Sequence, residues 1–254
     1  MNVLREQKQQ IQFQRRASLD FPPHTHDDVE LAYVLRGGGQ ATCDGKQYTL
    51  AVGDFFLAAP NRVHHYVGFD GGEYILLVAK ATRLQSYGQR LLRAAPQSAL
   101  LPRPEEGTER LFAEALAEYG QHGDSDMVSG YLTALLGRLL RGCPMEDGGR
   151  QGDWLTAVLN YCNQHYHEPL TVDGVAAALY ISRSHISHGF RRRVGMSFLQ
   201  YVNALRLTEA ATRLTETHIP VTEIALEVGF CSLRSFDRAF LARYGVTPRE
   251  YRRK

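Results

Sequence analysis

The chain has 254 residues, 44% of them hydrophobic and 22% charged, with a formal net charge of +2; this exceeds one usual domain and excludes disordered and fibrous classes. No run reaches the roughly 18 apolar residues of a membrane helix, and the polar opening MNVLREQKQQIQFQRR lacks the apolar core of a secretory signal, so a cytoplasmic protein is expected. Cys43, Cys143, Cys162 and Cys231 lie far apart without a CxxC pair, which argues against disulfides or a zinc–thiolate site and for buried, reduced thiols.

Short β-type runs occupy the first eighty or so residues, at 29–35, 39–43, 46–50, 55–59 and 74–79. Asp44-Gly45 readily adopts the positive backbone angles of a two-residue hairpin turn. Closely spaced strands with tight turns predict a sandwich or small barrel within residues 1–104. From about Glu105 the period becomes helical. Leu111, Phe112, Ala115, Leu116 and Tyr119 share one face, and Leu132, Leu135, Leu136, Leu139 and Leu140 form an apolar stripe. Such a stripe either packs onto the strands or joins two copies of the chain, and residues 105–142 are expected to form a helical dimerisation segment of a homodimer. Residues 143–152, CPMEDGGRQG, carry Pro and three glycines and are the linker candidate.

The net charge divides unevenly across that linker. Residues 1–151 hold 16 Lys and Arg against 18 Asp and Glu, a balance of −2, and residues 152–254 hold 13 against 9, a balance of +4. A basic half joined to an acidic one points to nucleic-acid contacts in the former. The basic half, residues 153–254, also repeats itself. Val172, Val175, Ala176 and Leu179 recur 49 residues on as Val221, Ile224, Ala225 and Val228, and Ser182, Ile186, Phe190 and Gly195 recur 50 on as Ser232, Phe236, Phe240 and Gly245. Each copy reads as a short helix, a turn, and a longer helix opened by an N-capping Ser and closed by a Gly suited to the left-handed C′ position. That is a helix-turn-helix at 172–194 and another at 221–244. Between them Ser197 and Gln200 form a capping-box signature for a helix over 198–215, which at about 1.5 Å per residue spans roughly 27 Å. Major grooves on one face of a duplex recur about every 34 Å, so this helix can hold two recognition helices near successive grooves. Thr247-Pro248-Arg249-Glu250 combines an N-cap, Pro at N1 and Glu at N3 and starts a short final helix.

Gly229-Phe230, Ser235-Phe236-Asp237-Arg238-Ala239-Phe240 and the run from Gly245 to Arg252 (GVTPREYR), with Leu170-Thr171-Val172, Ala176, Ser182, Phe190 and Gly195 in the first copy, carry a resemblance. Residues 153–254 resemble the DNA-binding domain of the AraC/XylS family of bacterial transcription regulators. The resemblance implies a sequence-specific, effector-responsive regulator rather than an enzyme. It would activate a catabolic operon, act on double-stranded promoter DNA, contact RNA polymerase and take a small-molecule effector such as a sugar.

Helical faces sort the side chains. Phe236 and Phe240, four apart, must face the core, which leaves Arg234, Ser235 and Arg238 outward, and an Arg fork suits the O6 and N7 acceptors of guanine. Ile186 and Phe190 likewise leave Ser184, His185, Ser187 and His188 outward, and the family resemblance sets Ser184, Ser187 and His188 against bases by position. Arg191, Arg192 and Arg193 are candidates for phosphate or solvent contact. The competing arrangement pairs Arg234 or Arg238 with Glu209, Glu223 or Asp237, and the second recognition helix is expected to discriminate more than the first.

A second constellation opens the chain. His24, His26 and Glu30 have equal parity, so a continuous strand would present them on one face, and His64 and His65 follow Pro60. Imidazoles and a carboxylate that converge can bind a divalent transition metal or a polyhydroxylated ligand. The spacing HxH(x)3E(x)6G, ending at Gly37, resembles the first cupin motif, and Gly53-Asp54 through Pro60 to His64 resembles the second, with Asn61-Arg62 where a Gly usually follows the Pro. The resemblance implies an effector site or a divalent metal site at His24, His26, Glu30 and His64, with His65 competing for the last place. It also opens two other readings, a metal-dependent cupin enzyme holding iron, manganese or zinc, and a regulator that senses metal. The expected fold is mixed: an all-β cupin-like barrel with appended α-helices, then an all-α domain with two helix-turn-helix motifs.

Overall fold

The computed structural model describes residues 10–69, 71–147 and 154–253, which form two units, one within residues 7–151 and one within 152–254. Among the described residues no helix is long and apolar enough to cross a membrane.

In the first unit β1 (Ile11–Arg16), β2 (Phe21–His24), β3 (Val29–Arg36), β4 (Gly39–Cys43), β5 (Lys46–Leu50), β6 (Phe55–Ala58), β7 (His64–Val67) and β8 (Glu73–Ala79) make two antiparallel sheets, ordered β1-β8-β3-β6 and β2-β7-β4-β5. The β4–β5 hairpin turns on Asp44 and Gly45, at φ 46° and 81°, as the Asp-Gly dipeptide predicts. β2 contains Pro22 and Pro23 and lies at a sheet edge, where missing N–H groups cost no ladder bonds.

β3 is buried on both faces, and its two parities serve two cores. Leu31 and Tyr33, with Phe55, Leu57, Ile75 and Leu77, face one way. Ala32 and Val34, with Phe56, Ala58, Tyr74 and Leu76, face the second sheet, whose Ala41, Cys43, Leu50 and Tyr66 close the interior. The outer face of the first sheet, as apolar as its inner face, needs a cover. α1 (Gln85–Arg93), α2 (Thr108–His122) and α3 (Asp126–Leu139) supply it. Leu132, Leu135, Leu136, Leu139 and Leu140 are at most 2% exposed in this core. The stripe is therefore closed to a second copy, which corrects its expected use as a dimer seam.

The start of the linker candidate differs as well. β9 (Ala94–Pro96) pairs antiparallel with β10 (Met145–Asp147), and Cys143 is buried in the helix-facing core. Three-residue strands carry no readable periodicity, and the rest of that candidate, 148–152, lies outside the described residues. Burial pushes the Cys43 and Cys162 thiols up to about 12, but Cys231 is exposed, unlike the expected four buried thiols.

The second unit holds α4 (Trp154–His165), α5 (Val172–Leu179), α6 (Arg183–Val194), α7 (Phe198–Glu216), α8 (Val221–Glu227), α9 (Leu233–Tyr244) and α10 (Pro248–Arg252). α5–α6 and α8–α9 are the two repeated motifs. Ser182 and Ser232 cap α6 and α9, and Gly195 and Gly245 close them at φ 79° and 70°. Both capping boxes form, Ser197 with Gln200 and Thr247 with Glu250. Ile186, Phe190, Phe236 and Phe240 are fully buried. Arg206 on α7 is 7% exposed and donates to the carbonyls of Tyr166 (2.6 Å) and Glu168 (2.8 Å) in the α4–α5 connection. Its guanidinium also lies 5.8 Å from the ring centre of Phe230, in the turn of the second motif.

Candidate functional sites: recognition helices and a histidine–carboxylate cluster

On α9 the inward Phe236 and Phe240 leave Arg234 and Arg238 exposed. Neither guanidinium has an acidic partner among the described residues: Glu209 and Glu227 are both engaged by Arg213. Ser235 is half-exposed, and its Oγ donates to the Ser232 carbonyl (2.8 Å) and accepts from Ser232 Oγ (3.1 Å), which leaves it one lone pair as an acceptor.

On α6 Ser184, Ser187, His188 and Arg191 are exposed. His188 Nδ1 lies 3.0 Å from the Ser184 carbonyl, which leaves Nε2 directed away from the helix backbone. His185 packs edge-on against Trp154, centroids 4.6 Å apart, beside Gly189, where a Cβ would lie 2.5 Å from the Trp154 ring.

The histidine cluster assembles differently from the parity argument. His24 ends β2, His26 lies in the following turn and Glu30 sits on β3, so a chain reversal rather than one continuous strand brings them together. His64 joins from β7, opposite His24 in register. On β7 the parity of 64 and 66 faces inward, which decides for His64 over His65 and adds Tyr66, whose shared parity with His64 was its sequence signal. Asn61 takes the left-handed conformation, φ 63°, which Asn tolerates better than most residues. Arg62 then bonds Asp44 (2.7 Å) and Glu146 (3.1 Å), so the departure from the cupin pattern is absorbed locally.

All four side chains offer a ligand atom within 4.8 Å of the others. Each imidazole Nδ1 lies against a backbone carbonyl, His24 with Pro22 (3.0 Å), His26 with Asp28 (3.2 Å) and His64 with Arg62 (2.9 Å). A carbonyl only accepts, so each Nδ1 carries the proton, and in the neutral rings each Nε2 presents a lone pair. Those three Nε2 atoms lie 3.9, 3.3 and 3.4 Å from the Glu30 carboxylate, and Tyr66 donates to its Oε1 at 2.6 Å. With all three rings neutral, four acceptors face one another in a buried space, a conflict that a proton on His26 Nε2 relieves by donating to Glu30 at 3.3 Å, and His64 Nε2 has no hydrogen-bond partner among the described residues.

Titration reflects the conflict. Burial, aided by His64, pushes His24 down to about 4. Against burial, the bond to Glu30 and its charge raise His26. Glu30, against its own burial, is held well below the carboxylate range by the facing imidazoles. Burial and the Glu30 charge raise Tyr66. The four groups could hold a divalent cation, since ligand atoms about 2.0–2.2 Å from a common ion are themselves a few ångströms apart, and backbone-anchored Nδ1 atoms are the outer support such ligands use.

A helix-turn-helix domain model matches residues 175–254, and an AraC-like ligand binding domain model matches residues 9–136. The HTH-type transcriptional regulator YdiP of Escherichia coli is 28% identical over 249 residues, covering 91% of this chain and 80% of that protein. YfiF of Bacillus subtilis, another HTH-type transcriptional regulator, is 26% identical over 253 residues, covering 90% and 78%. Wild-type ToxT from Vibrio cholerae, solved with bound unsaturated fatty acid, superposes with a TM-score of 0.59 at 16% identity over 95% of this chain and 94% of that one. An apo ToxT variant gives 0.63 at 15% identity over 98% of both chains, a likeness of fold. With both of its halves matched in this order, the chain belongs to the AraC family of helix-turn-helix transcription regulators that carry an AraC-like ligand-binding domain.

Proposed function

We propose that this regulator is governed by a divalent transition metal ion held by His24, His26, Glu30 and His64, and that it reads promoter DNA through the outward faces of α6 and α9. The observation that carries the reading is the convergence of three backbone-oriented Nε2 atoms on one buried carboxylate. Glu30 belongs to the first sheet and His24 and His64 to the second, so an ion tightens the barrel by joining its two layers. It acts on DNA binding to the extent that one arrangement of the protein holds it more tightly. A sugar effector needs space that Phe56, Tyr66, Phe69 and Tyr74 fill, each at most 3% exposed. The regulator names of the relatives favour sensing over turnover for the same four ligands. In this reading a homodimer uses the outer faces of α2 and α3, because their inner faces are spent on the core.

The test combines metal analysis with DNA binding to a duplex selected by the chain from a random-sequence pool. About one equivalent of manganese, iron or zinc is expected, and chelation should change DNA affinity by at least about fivefold. Metal content below about a tenth of an equivalent, with DNA affinity indifferent to added ions, would remove the ion and leave an organic effector.

On the DNA side, Arg238→Ala should weaken binding to the selected duplex by roughly 5- to 150-fold, the equivalent of a bidentate base contact. Binding to random duplex should fall far less. An unchanged ratio between the two duplexes would mean that Arg238 reads no base.

A further inference from the structure

The two helix-turn-helix copies place a residue of positive φ at the same point, directly after the paired positions Leu179 and Val228. In the second copy it is Gly229, at φ 99°, where a Cβ would lie 2.8 Å from the His167 carbonyl and 2.9 Å from Arg206 Nε. In the first copy it is Tyr180, at φ 55° and ψ 39°. Left-handed backbone is disfavoured for any residue with a Cβ and is an outlier for a bulky one. The backbone there closes α5, Ile181 N–H donating to the Ala176 carbonyl at 3.0 Å, a closure that glycine makes at least cost. The Tyr180 side chain is 98% exposed, so the fold gives no reason for an aromatic at this place, and an exposed aromatic without a packing role points to a partner.

We propose that Tyr180 is a DNA-backbone contact, its phenolic hydroxyl donating to a phosphate oxygen at the edge of the groove that α6 enters. The inference rests on α6 being a recognition helix. Tyr180 stands two residues before Ser182, the N-cap of α6. Recognition helices set their N-terminal residues against base edges, so the chain entering the helix borders the phosphates that flank the groove. Tyr is among the side chains that position proteins on phosphates. The neighbouring Arg183 is already paired with Asp173 at 3.3 Å, which leaves the phenol as a neutral donor at this edge. Ser182, Arg183 and Ser184, the exposed residues that follow, are polar or basic, a surround that suits a phosphate better than the apolar patch of a protein hot spot.

Tyr180→Gly and Tyr180→Phe separate strain from contact. Unfolding in urea is followed by the fluorescence of Trp154, the chain's one tryptophan, and DNA binding is measured on the selected and random duplexes at several salt concentrations. Tyr180→Gly should unfold at higher urea yet bind both duplexes about three- to tenfold more weakly, the span of one lost hydrogen bond. Tyr180→Phe should unfold as the parent does and show the same loss of binding. The ratio between duplexes and the salt slope should stay constant, since a neutral phosphate donor carries neither sequence information nor counterion release.

Parent-like DNA binding by both variants overturns the proposal. So does a loss confined to the selected duplex, or a defect seen only when RNA polymerase is added. His188→Ala is the control for the reading beneath it. If that variant also binds like the parent, α6 is not at the DNA. If it weakens binding while the Tyr180 variants do not, only the Tyr180 contact falls.

Discussion

Arg206→Met should destabilise the DNA-binding unit by about 2–4 kcal/mol, because two charge-assisted hydrogen bonds are lost and their carbonyl acceptors stay behind in a partly buried place. The cation carries its own burden: burial lowers its pKa, and a methionine of similar length removes that penalty while keeping the stem. The acceptors decide the sign. The Tyr166 and Glu168 carbonyls belong to the α4–α5 connection, and Gly229 in the turn of the second motif approaches both Arg206 and the Tyr166 carbonyl too closely for any Cβ. Arg206 therefore holds the segment ahead of the first motif to the turn of the second. Urea unfolding followed by Trp154 fluorescence reports on this unit alone. Arg206→Lys should recover part of the loss, because an ammonium can reach one carbonyl but cannot fork to two. A loss below about 0.5 kcal/mol for the Met variant, the usual range of a surface change, would show that the two motifs are held together elsewhere.

The parts of this molecule that were legible in its sequence are those whose causes are local. The helix-turn-helix pair follows from capping serines, closing glycines and phenylalanines four apart, and each does in the structure what its spacing implies. The Asp44-Gly45 hairpin is of the same kind. Contacts that depend on distant surfaces were harder to read. The leucine stripe of α3 announces an apolar face but not what covers it. The available clue was VELAYV in β3, a strand without alternation, which requires cover on both faces and so calls the helices inward. Likewise the four metal-ligand candidates were legible as residue types, but their convergence depends on a turn after β2 and on the pairing of β2 with a four-residue β7. Ser235 lies on the outward face as its spacing implies, and its proton goes to the nearer Ser232 carbonyl, a local bond that helical periodicity does not announce.

Glu30→Gln should weaken metal binding by more than about 100-fold, beyond the 10- to 100-fold expected for an outer-shell change such as Tyr66→Phe, which removes the donor to Oε1. The two variants differ in kind. Glu30 is the one anionic group among the four proposed ligands, and its amide replacement keeps shape while removing the charge that would draw a cation into a buried site. Without metal the Gln variant should already be less stable than the parent, because the facing imidazoles hold the Glu30 carboxylate in its ionised form and Tyr66 donates to it. With metal the gap widens. At an ion concentration 100 times its dissociation constant the parent gains about 2.7 kcal/mol, and a variant that does not bind gains nothing. Thermal unfolding of the parent and both variants, with and without manganese or zinc, tests this widening directly. If Glu30→Gln responds to the ions as the parent does, the four side chains are a structural hydrogen-bond knot and the sensor answers to something else.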